Sequence, residues 1–240
     1  MSPSAIPLRL TALLALLAST ACGISIGDPG VRGSGHRITQ TRTAGEFDRV
    51  HVSGDFDVRI TAGASPSLRI EGDDDLLPLV ETRIVNEELR VRSERNLRPT
   101  RRILVQIGTP SLAGVETSGS SDVSATGVRT DAFDAGVSGS GSLDAEGSFG
   151  NLAVSVSGSG QVIGRGVAET VDVHVSGSGD VDLLAVSARS ARVSTTGSGD
   201  VSLAVSESLD ASTSGSGEVR YSGRPSVNAN VSGSGEVKRL

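Results

Sequence analysis

The phrase Val175-Ser176-Gly177-Ser178-Gly179-Asp180-Val181 recurs seven times, with small changes, between Thr117 and Val237. Its successive spacings are 20, 19, 19, 20, 18 and 18 residues, with a mean of 19. A fixed period of about 20 residues is typical of a solenoid, in which each repeat buries its apolar face only against its neighbours. The first glycine of the phrase falls at Gly119, Gly139, Gly158, Gly177, Gly197, Gly215 and Gly233.

The residues before each phrase alternate between apolar and polar. Before Gly177, for example, Val171, Val173 and Val175 alternate with two polar residues, which places the valines on one face of a strand. The glycines suit a sharp corner, because glycine takes positive φ without penalty. Each repeat is therefore predicted to contain an amphipathic strand, a corner and a second short strand. The inward residues of the other six repeats would be Ala113, Val115 and Thr117; Phe133, Ala135 and Val137; Leu152, Val154 and Val156; Ala191, Val193 and Thr195; Leu209, Ala211 and Thr213; and Val227, Ala229 and Val231.

The composition agrees with an all-β solenoid. The chain has 240 residues, which suits one or two domains, and 36% of them are apolar while only 2% are aromatic. The core must therefore be built from Val, Leu, Ile and Ala. The 31 glycines are in register with the apolar positions, which indicates repeated turns instead of disorder. A net charge of −6 gives no broad basic footprint for nucleic acid, so no nucleic-acid partner is expected.

The N-terminus is typical of a secretory signal. Arg9 precedes an apolar run, 10–18, that is too short to span a bilayer, and small residues follow up to Cys22. This arrangement resembles a bacterial lipobox, so we predict a lipoprotein-type signal peptide over 1–21, lipidation of Cys22 and a membrane anchor there. The alternative is an ordinary signal peptide with an incidental cysteine. Since Cys22 is the only cysteine, the exported fold has no internal disulfide.

Two segments lie between the signal and the repeats. Residues 22–46 show no apolar periodicity and are rich in Gly, Arg and Thr, which predicts a flexible tether. Residues 47–116 are predicted to be a β-rich N-terminal part that forms or caps the first turns of the solenoid, and 117–240 the seven repeats. Near-alternating apolar residues open the N-terminal part at Val50, Val52, Phe56, Val58 and Ile60.

Three acids, Asp73-Asp74-Asp75, precede the short apolar run Leu76–Val80. Carboxylates at this place are typical of a helix N-terminus, where they accept hydrogen bonds from free N–H groups and favour the helix dipole. A calcium site is the alternative, but no loop of spaced oxygen ligands follows. We therefore expect a helix to begin here.

A basic stretch begins on the outward face of a predicted hairpin around Asn86 and extends to Arg102. It could dock anionic glycans or lipid head groups. The more ordinary interpretation is a solvated strand face, since no aromatic residues are interleaved with the arginines. The candidate partner-binding residues are Arg90, Arg92, Arg101 and Arg102.

An acidic column follows the corner phrase. Asp180, Asp200, Glu218 and Glu236 occupy the same position in successive repeats, about 4.8 Å apart if the repeats stack. Four neighbouring carboxylates would repel one another by about 1 kcal/mol per pair in water. A bound calcium ion would relieve this repulsion, and these four residues are the metal candidates. Solvated carboxylates are the simpler interpretation, because the acid occurs once per 19 residues and not twice per turn as in calcium-binding β-rolls.

Nothing in the sequence favours catalysis. It contains no nucleophile elbow, no zinc-protease motif and no phosphate loop. The three histidines, His36, His51 and His174, have no spacing that predicts a triad with a serine and an aspartate. We therefore predict no catalytic residue and no cofactor.

Three segments together resemble the family "putative auto-transporter adhesin, head GIN domain". They are Phe47-Asp-Arg-Val-His-Val-Ser-Gly54, Leu76-Leu-Pro-Leu-Val80 and, after the repeated Ser-Gly-Ser-Gly phrases, Val231-Ser-Gly-Ser-Gly-Glu-Val-Lys238. The resemblance covers residues 47–238. It implies an exported bacterial protein, often a lipoprotein, whose β-helix-like solenoid is right-handed. It brings no catalytic or binding residues with it.

Three functions remain open from the sequence. The first is a non-enzymatic envelope lipoprotein, on the outer membrane or cell surface, that binds a surface glycan or protein. The second is a structural or stress-related envelope component without a dedicated ligand. The third is a carbohydrate-active β-helix enzyme, ranked last because the uniform repeats have no long insertion to build a groove. Lys238 and Arg239 are expected to put charge on the last exposed edge and to discourage end-to-end stacking.

Overall fold

The structure, a computed structural model, describes residues 30–240. Most of these residues belong to β-strands. The predicted signal 1–21 and Cys22 lie outside the described residues. Within residues 30–240, no helix is long and apolar enough to cross a membrane. The described part of the chain therefore has the all-β character that the sequence predicts.

Nine strands form the repeat region, and all pairings among them are parallel. The long strands each run from one glycine corner to the next, so one strand and one corner make one turn of about 19 residues. The strands are β10 (Gly114–Gly119), β11 (Asp122–Gly139), β12 (Ser142–Gly158), β13 (Gln161–Gly177), β14 (Asp180–Gly197), β15 (Val201–Gly215), β16 (Glu218–Ser222), β17 (Ser226–Gly233) and β18 (Glu236–Arg239).

The register stacks identical positions of the repeat on one another. Gly177 lies beside Gly158 on one side and Gly197 on the other, and Val173 lies between Val154 and Val193 in the same way. This register gives a β-solenoid of about seven turns, and it confirms both the fold class and the 19-residue repeat.

The core is the column of inward side chains that the alternation predicts. Val173, for example, is fully buried. Phe133 is also fully buried, and its ring centroid lies 5.4 Å from that of Phe149 at an angle of 37°. The prediction is wrong for the last repeat, where Val227 and Val231 are 39% and 41% exposed. They lack cover because no described strand pairs with β17 beyond β15.

Nine strands and one short helix precede the repeats. β3 pairs in parallel with β10, and β4 with β11, so Gly54 stacks on Gly119 as an eighth corner. The N-terminal part therefore forms the first turn. Its elements are β1 (Val31–Arg32), β2 (Arg37–Arg42), β3 (Arg49–Gly54), β4 (Phe56–Ala62), β5 (Ser67–Asp73), a 3₁₀ helix (Leu77–Leu79), β6 (Val80–Val85), β7 (Glu88–Ser93), β8 (Leu97–Arg98) and β9 (Ile103–Thr109).

The N-terminal end of the solenoid is covered. β7 continues the stack in parallel beside β3, and β6 folds back antiparallel on β7 through the predicted turn at Asn86 and Glu87, both with positive φ. On the other side of the corner, β9 pairs with β4, β5 runs antiparallel to β9, and β2 antiparallel to β5. Leu76 and Leu77 are fully buried over this end of the core. The parallel stack thus ends in antiparallel strands.

The tether prediction for residues 22–46 is wrong for part of that segment. β1 pairs with β8, and β2 pairs with β5 over six residues. Only Ile38 of β2 packs against the core, which is why the segment shows no apolar periodicity. The guanidinium of Arg42 instead donates to the carbonyl oxygens of Leu77 (2.8 Å) and Val80 (2.6 Å). Backbone pairing and these polar contacts hold the strand.

The helix prediction after the three acids is also wrong in its detail. The helix is a three-residue 3₁₀ turn, and no side chain caps it. Asp73 is fully buried and accepts hydrogen bonds from the Thr100 backbone N–H and hydroxyl, both at 2.8 Å. Asp74 and Asp75 accept from the hydroxyl and the N–H of Ser34. The three aspartates therefore hydrogen-bond two loops at the N-terminal end, one that contains Ser34 and one that contains Thr100.

Three buried threonine hydroxyls in the core have no hydrogen-bond partner among the described residues: those of Thr117, Thr195 and Thr213. Valine occupies the same column in neighbouring turns. Since an unsatisfied buried hydroxyl costs about 1–3 kcal/mol, we expect Thr195→Val to raise the free energy of unfolding by about 1 kcal/mol. Urea denaturation measures this. The same change at the adjacent, exposed Thr196 is the control and should shift stability by less than about 0.5 kcal/mol; equal effects at both sites would refute the explanation.

Candidate functional site

Hydrogen bonds between successive turns hold the glycine corner. At the corner, the N–H groups of Ser178 and Asp180 donate to the carbonyls of Gly158 and Gly160 of the turn before, at 2.8 and 3.0 Å. The first repeat has Ser121 where later repeats have glycine. The Ser121 hydroxyl accepts a hydrogen bond from the N–H of Phe56 and donates one to the carbonyl oxygen of Gly54, each at 3.0 Å. The corner serines and glycines thus have a structural role that needs no catalytic explanation.

The acidic column lies where the sequence predicts it, just after the corner. Two of its four carboxylates reach the backbone of the next turn. Asp180 accepts from the N–H of Asp200 at 3.1 Å, and Asp200 accepts from the N–H of Glu218 at 3.0 Å. These bonds link successive turns, because they satisfy N–H groups that the corner leaves open.

Two basic residues lie within the acidic column. Arg220 contacts Asp200 at 3.0 Å and Glu218 at 2.6 Å, and Lys238 contacts Glu218 at 3.0 Å and Glu236 at 3.4 Å. Sequence reasoning missed them, although their position two residues after an acid puts them on the same strand face. They relieve the repulsion for which a calcium ion was considered. Within residues 30–240, no group of three or more acidic, His or Cys side chains is arranged to hold a metal.

These contacts predict an acid-sensitive link at Glu218. The hydrogen bonds from Lys238 and then Arg220 lower the pKa of Glu218 below its ordinary 4.5. A lowered folded-state pKa contributes stability above pH 4.5 that is lost as the pH falls through the folded-state value. We expect the free energy of unfolding to fall less steeply below pH 4.5 in Glu218→Gln than in the unchanged protein, as measured by urea titrations from pH 7 to 3. Parallel curves would contradict this role.

The predicted basic stretch is not one patch. Arg90 and Arg92 belong to β7, whereas Arg101 and Arg102 precede β9, on the other side of the corner. Arg90 contacts Glu88 at 2.6 Å, and Arg92 contacts Glu81 at 2.5 Å and lowers the pKa of Glu81. These two arginines are therefore already paired with acids of their own hairpin.

Arg102 is likewise engaged near the first corner. It contacts Asp55 at 2.7 Å and also Asp122, and donates to the carbonyl of Ser120. Burial alone would raise the pKa of Asp122, but hydrogen bonds from Ser142 and Arg102 outweigh it and lower that pKa. Arg101 is exposed, and no carboxylate of the described residues lies within 4 Å of its guanidinium. Of the four candidates, only Arg101 has no ion pair with another residue of the range 30–240.

The structure adds a surface that sequence reasoning missed, an open groove of about 420 Å³ on the outward face of β13, β14, β15 and β17. Its centre is polar: Arg192 lies 4.0 Å from Asp210, which also accepts a hydrogen bond from Asn228 at 3.3 Å. The sequence does contain a signal for this groove, since the outward positions of consecutive repeats are polar. The polar lining comprises Thr170, Asp172, Ser190, Arg192, Ser208, Asp210, Ser226 and Asn228.

The three histidines are separate. His36 lies 3.2 Å from Asp74 at the N-terminal end, His51 lies 3.4 Å from the hydroxyl of Ser118, and His174 is exposed on β13. The structure brings none of them together with another histidine. The His51 ring does approach the Ser118 hydroxyl, but among residues 30–240 no carboxylate is hydrogen-bonded to that ring to complete a triad.

Solved structures share the fold. A protein from Bacteroides fragilis described as a putative adhesin matches with a TM-score of 0.83 and 25% identity, over 88% of this chain and all of that one. A putative adhesin from Parabacteroides merdae matches with a TM-score of 0.72 and 24% identity, over 88% and 99%. A putative lipid binding protein from Parabacteroides distasonis has a TM-score of 0.71 and 21% identity, over 88% and 99%. The last two likenesses show the fold alone.

Sequence comparison identifies the family. No curated protein matches the chain. The family described as "Putative auto-transporter adhesin, head GIN domain" matches residues 46–225, three-quarters of the sequence and nearly all of the N-terminal and repeat regions. The chain therefore belongs to this adhesin head GIN family.

Proposed function

We propose that this protein is a non-enzymatic, lipid-anchored protein of the bacterial cell surface that binds a surface glycan or another extended macromolecule. The family and the solved relatives described as adhesins support surface binding. The single structural observation that carries the proposal is the polar groove along β13, β14, β15 and β17.

The shape of the groove suits a polymer. It crosses four turns, which span about 15 Å along the solenoid axis at a strand spacing of about 4.8 Å. A small-molecule site is usually concave and mostly apolar. This surface is open and is lined mainly by hydroxyl, carboxylate, amide and guanidinium groups, with Val171, Ala191 and Leu209 as its apolar residues. Such groups match the hydroxyls of a glycan chain. Because no aromatic residue lines the groove, each contact is weak, and binding gains strength from many copies on one cell.

The binding test uses the polar centre of the groove. The double variant Arg192→Ala/Asp210→Ala is expected to lose at least about tenfold in affinity, roughly 1.4 kcal/mol, for intact cells or purified envelope polysaccharide. Arg189→Ala is the matched control, because it removes exposed ion pairs to Glu169 and Glu207 outside the groove. Equal binding by all three proteins would reject the groove. Absence of binding by the unchanged protein would favour a structural envelope component.

The anchor has its own test. Cells expressing the chain are supplied with a labelled fatty acid, and label is expected on the protein and not on Cys22→Ser. The variant should also leave the membrane fraction. Label on neither protein would favour the ordinary signal peptide, and label on both would place the fatty acid away from Cys22.

A further inference from the structure

The two ends of the solenoid are built differently. At the N-terminal end, antiparallel strands and the buried side chains of Leu76 and Leu77 close the core. At the other end, β17 pairs with β15 on one side only, and no described residue covers its other edge. The last turn therefore presents a row of unpaired backbone N–H and C=O groups, which is a ready template for another strand.

The side chains of β17 are apolar where a core would continue. Val227, Ala229 and Val231 are all exposed, whereas Leu209 and Thr213, directly beneath them on β15, are each 1% exposed. The columns of stacked core side chains are therefore open to solvent at this end of the solenoid. An edge with both open hydrogen-bonding groups and exposed apolar side chains favours burial against a further strand.

The sequence of β17 reads the same in both directions. Residues 226–232 are Ser-Val-Asn-Ala-Asn-Val-Ser, a palindrome centred on Ala229. If two copies of this strand pair antiparallel across a two-fold axis at Ala229, Val227 faces Val231 of the second copy. Asn228 then faces Asn230, and Ser226 faces Ser232. In a closed two-fold interface, residue i of one copy contacts residue j of the other while j contacts i, and the palindrome makes each such pair in this strand a pair of like residues.

We propose that the last turn is a self-association surface, on which a second copy of this chain docks by antiparallel pairing of β17 with β17. The inner-face valines of the two copies would close both cores, and the outer-face asparagines would hydrogen-bond across the axis. The interface is isologous, so it gives a dimer and not a filament.

The charges of the last turn do not oppose this pairing. β17 itself carries no charged residue. Lys238 and Arg239, which the sequence predicts to discourage stacking, belong to β18 and not to β17. The charge of Lys238 is compensated within one copy by contacts with Glu218 and Glu236.

The dimer would join two chains by their C-terminal ends and leave their covered N-terminal ends pointing apart. If Cys22 is anchored as proposed above, this geometry suits a contact between copies on two facing surfaces. The pairing itself does not depend on the anchor, so it is testable in solution with the full chain carrying Cys22→Ser.

The first test measures mass. Sedimentation equilibrium of the Cys22→Ser chain is expected to show a dimer at micromolar concentration, and Val227→Asp/Val231→Asp is expected to abolish it. Both valines are about 40% exposed in the single chain, so the variant should retain its circular dichroism spectrum and urea midpoint. As a matched control, Ser212→Asp on the outward face of β15 should leave the dimer intact. A monomer in the unchanged chain, or a dimer that persists in the double variant, would overturn the proposal.

The second test measures register. In the Cys22→Ser background, Ala229→Cys becomes the only cysteine and would face itself across the axis. Antiparallel partners have Cα atoms about 4.5 or 5.5 Å apart, and both distances allow a disulfide. Mild oxidation should cross-link Ala229→Cys but not Ser212→Cys. Val227→Cys should cross-link with Val231→Cys when the two proteins are mixed, and not with itself.

Other results would assign the edge differently. Cross-linking of Ser212→Cys as readily as Ala229→Cys would mean random collision and would contradict the register. A monomer in which the β17 amides that face away from β15 are nevertheless strongly protected from hydrogen exchange would mean that another segment of the same chain covers this edge. Either result overturns the two-fold pairing.

Discussion

Gly177→Ala is expected to lower the free energy of unfolding by about 3 kcal/mol. Gly177 has φ +123°, and an added Cβ would lie 2.5 Å from the carbonyl oxygen of Gly158. A left-handed backbone costs an L-residue about 1–2 kcal/mol, and overpacking costs about 1–3 kcal/mol more. The effect should be large because the corner is stacked on both sides, so neither neighbour can move alone. Urea denaturation with circular dichroism detection measures the loss.

Two further alanine variants separate the two causes. Gly179 does not have positive φ, but its Cβ would lie 2.4 Å from the carbonyl of Gly160, so Gly179→Ala reports crowding alone. Gly63 has φ +76° in open space, so Gly63→Ala reports backbone strain alone. Each should cost less than Gly177→Ala. If Gly177→Ala costs no more than Gly63→Ala, the corner is not close-packed in the way described.

Phe133→Ala is expected to destabilise the protein by about 3–5 kcal/mol, the usual cost of removing a buried aromatic side chain. Phe133 is fully buried and packs against Phe149. With aromatics at only 2% of the chain, the surrounding valines and alanines offer little volume to fill the cavity. Thermal and urea unfolding both measure the effect.

Val167→Ala provides the control for the loss of apolar surface. Val167 is 51% exposed, so its truncation should change stability by less than about 0.5 kcal/mol. A Phe133 variant as stable as the Val167 variant would mean that the core at this turn is not packed as described.

The sequence predicts the repeat region well because its signal is local and periodic. The apolar alternation that buries Val173 and the glycine phrase that places Gly177 at a corner can both be recognised within about seven residues. All seven repeats show the same pattern. The handedness of the solenoid stays a prediction from the family resemblance. The exposure of Val227 and Val231 was missed because it depends on their place in the last turn, where the phrase itself is unchanged.

The N-terminal end and the polar surfaces were harder to predict. β2 pairs with β5, about 30 residues away, through backbone bonds, and Arg42 links β2 to the carbonyls of Leu77 and Val80. Neither kind of contact leaves a periodic pattern in the sequence. The acidic column was located correctly, but its contacts with Arg220 and Lys238 depend on the stacking of turns. These contacts depend on which residues of neighbouring turns lie side by side, and this register is seen only in the folded chain.

The proposed surface-binding function requires that the solenoid is displayed outside the cell. The most direct measurement is the binding of an antibody against residues 30–240 to intact cells, with a periplasmic protein and permeabilised cells as controls. We expect staining of intact cells while the periplasmic control stays unstained. Staining that appears only after permeabilisation would place the protein inside the envelope and contradict the surface-binding function.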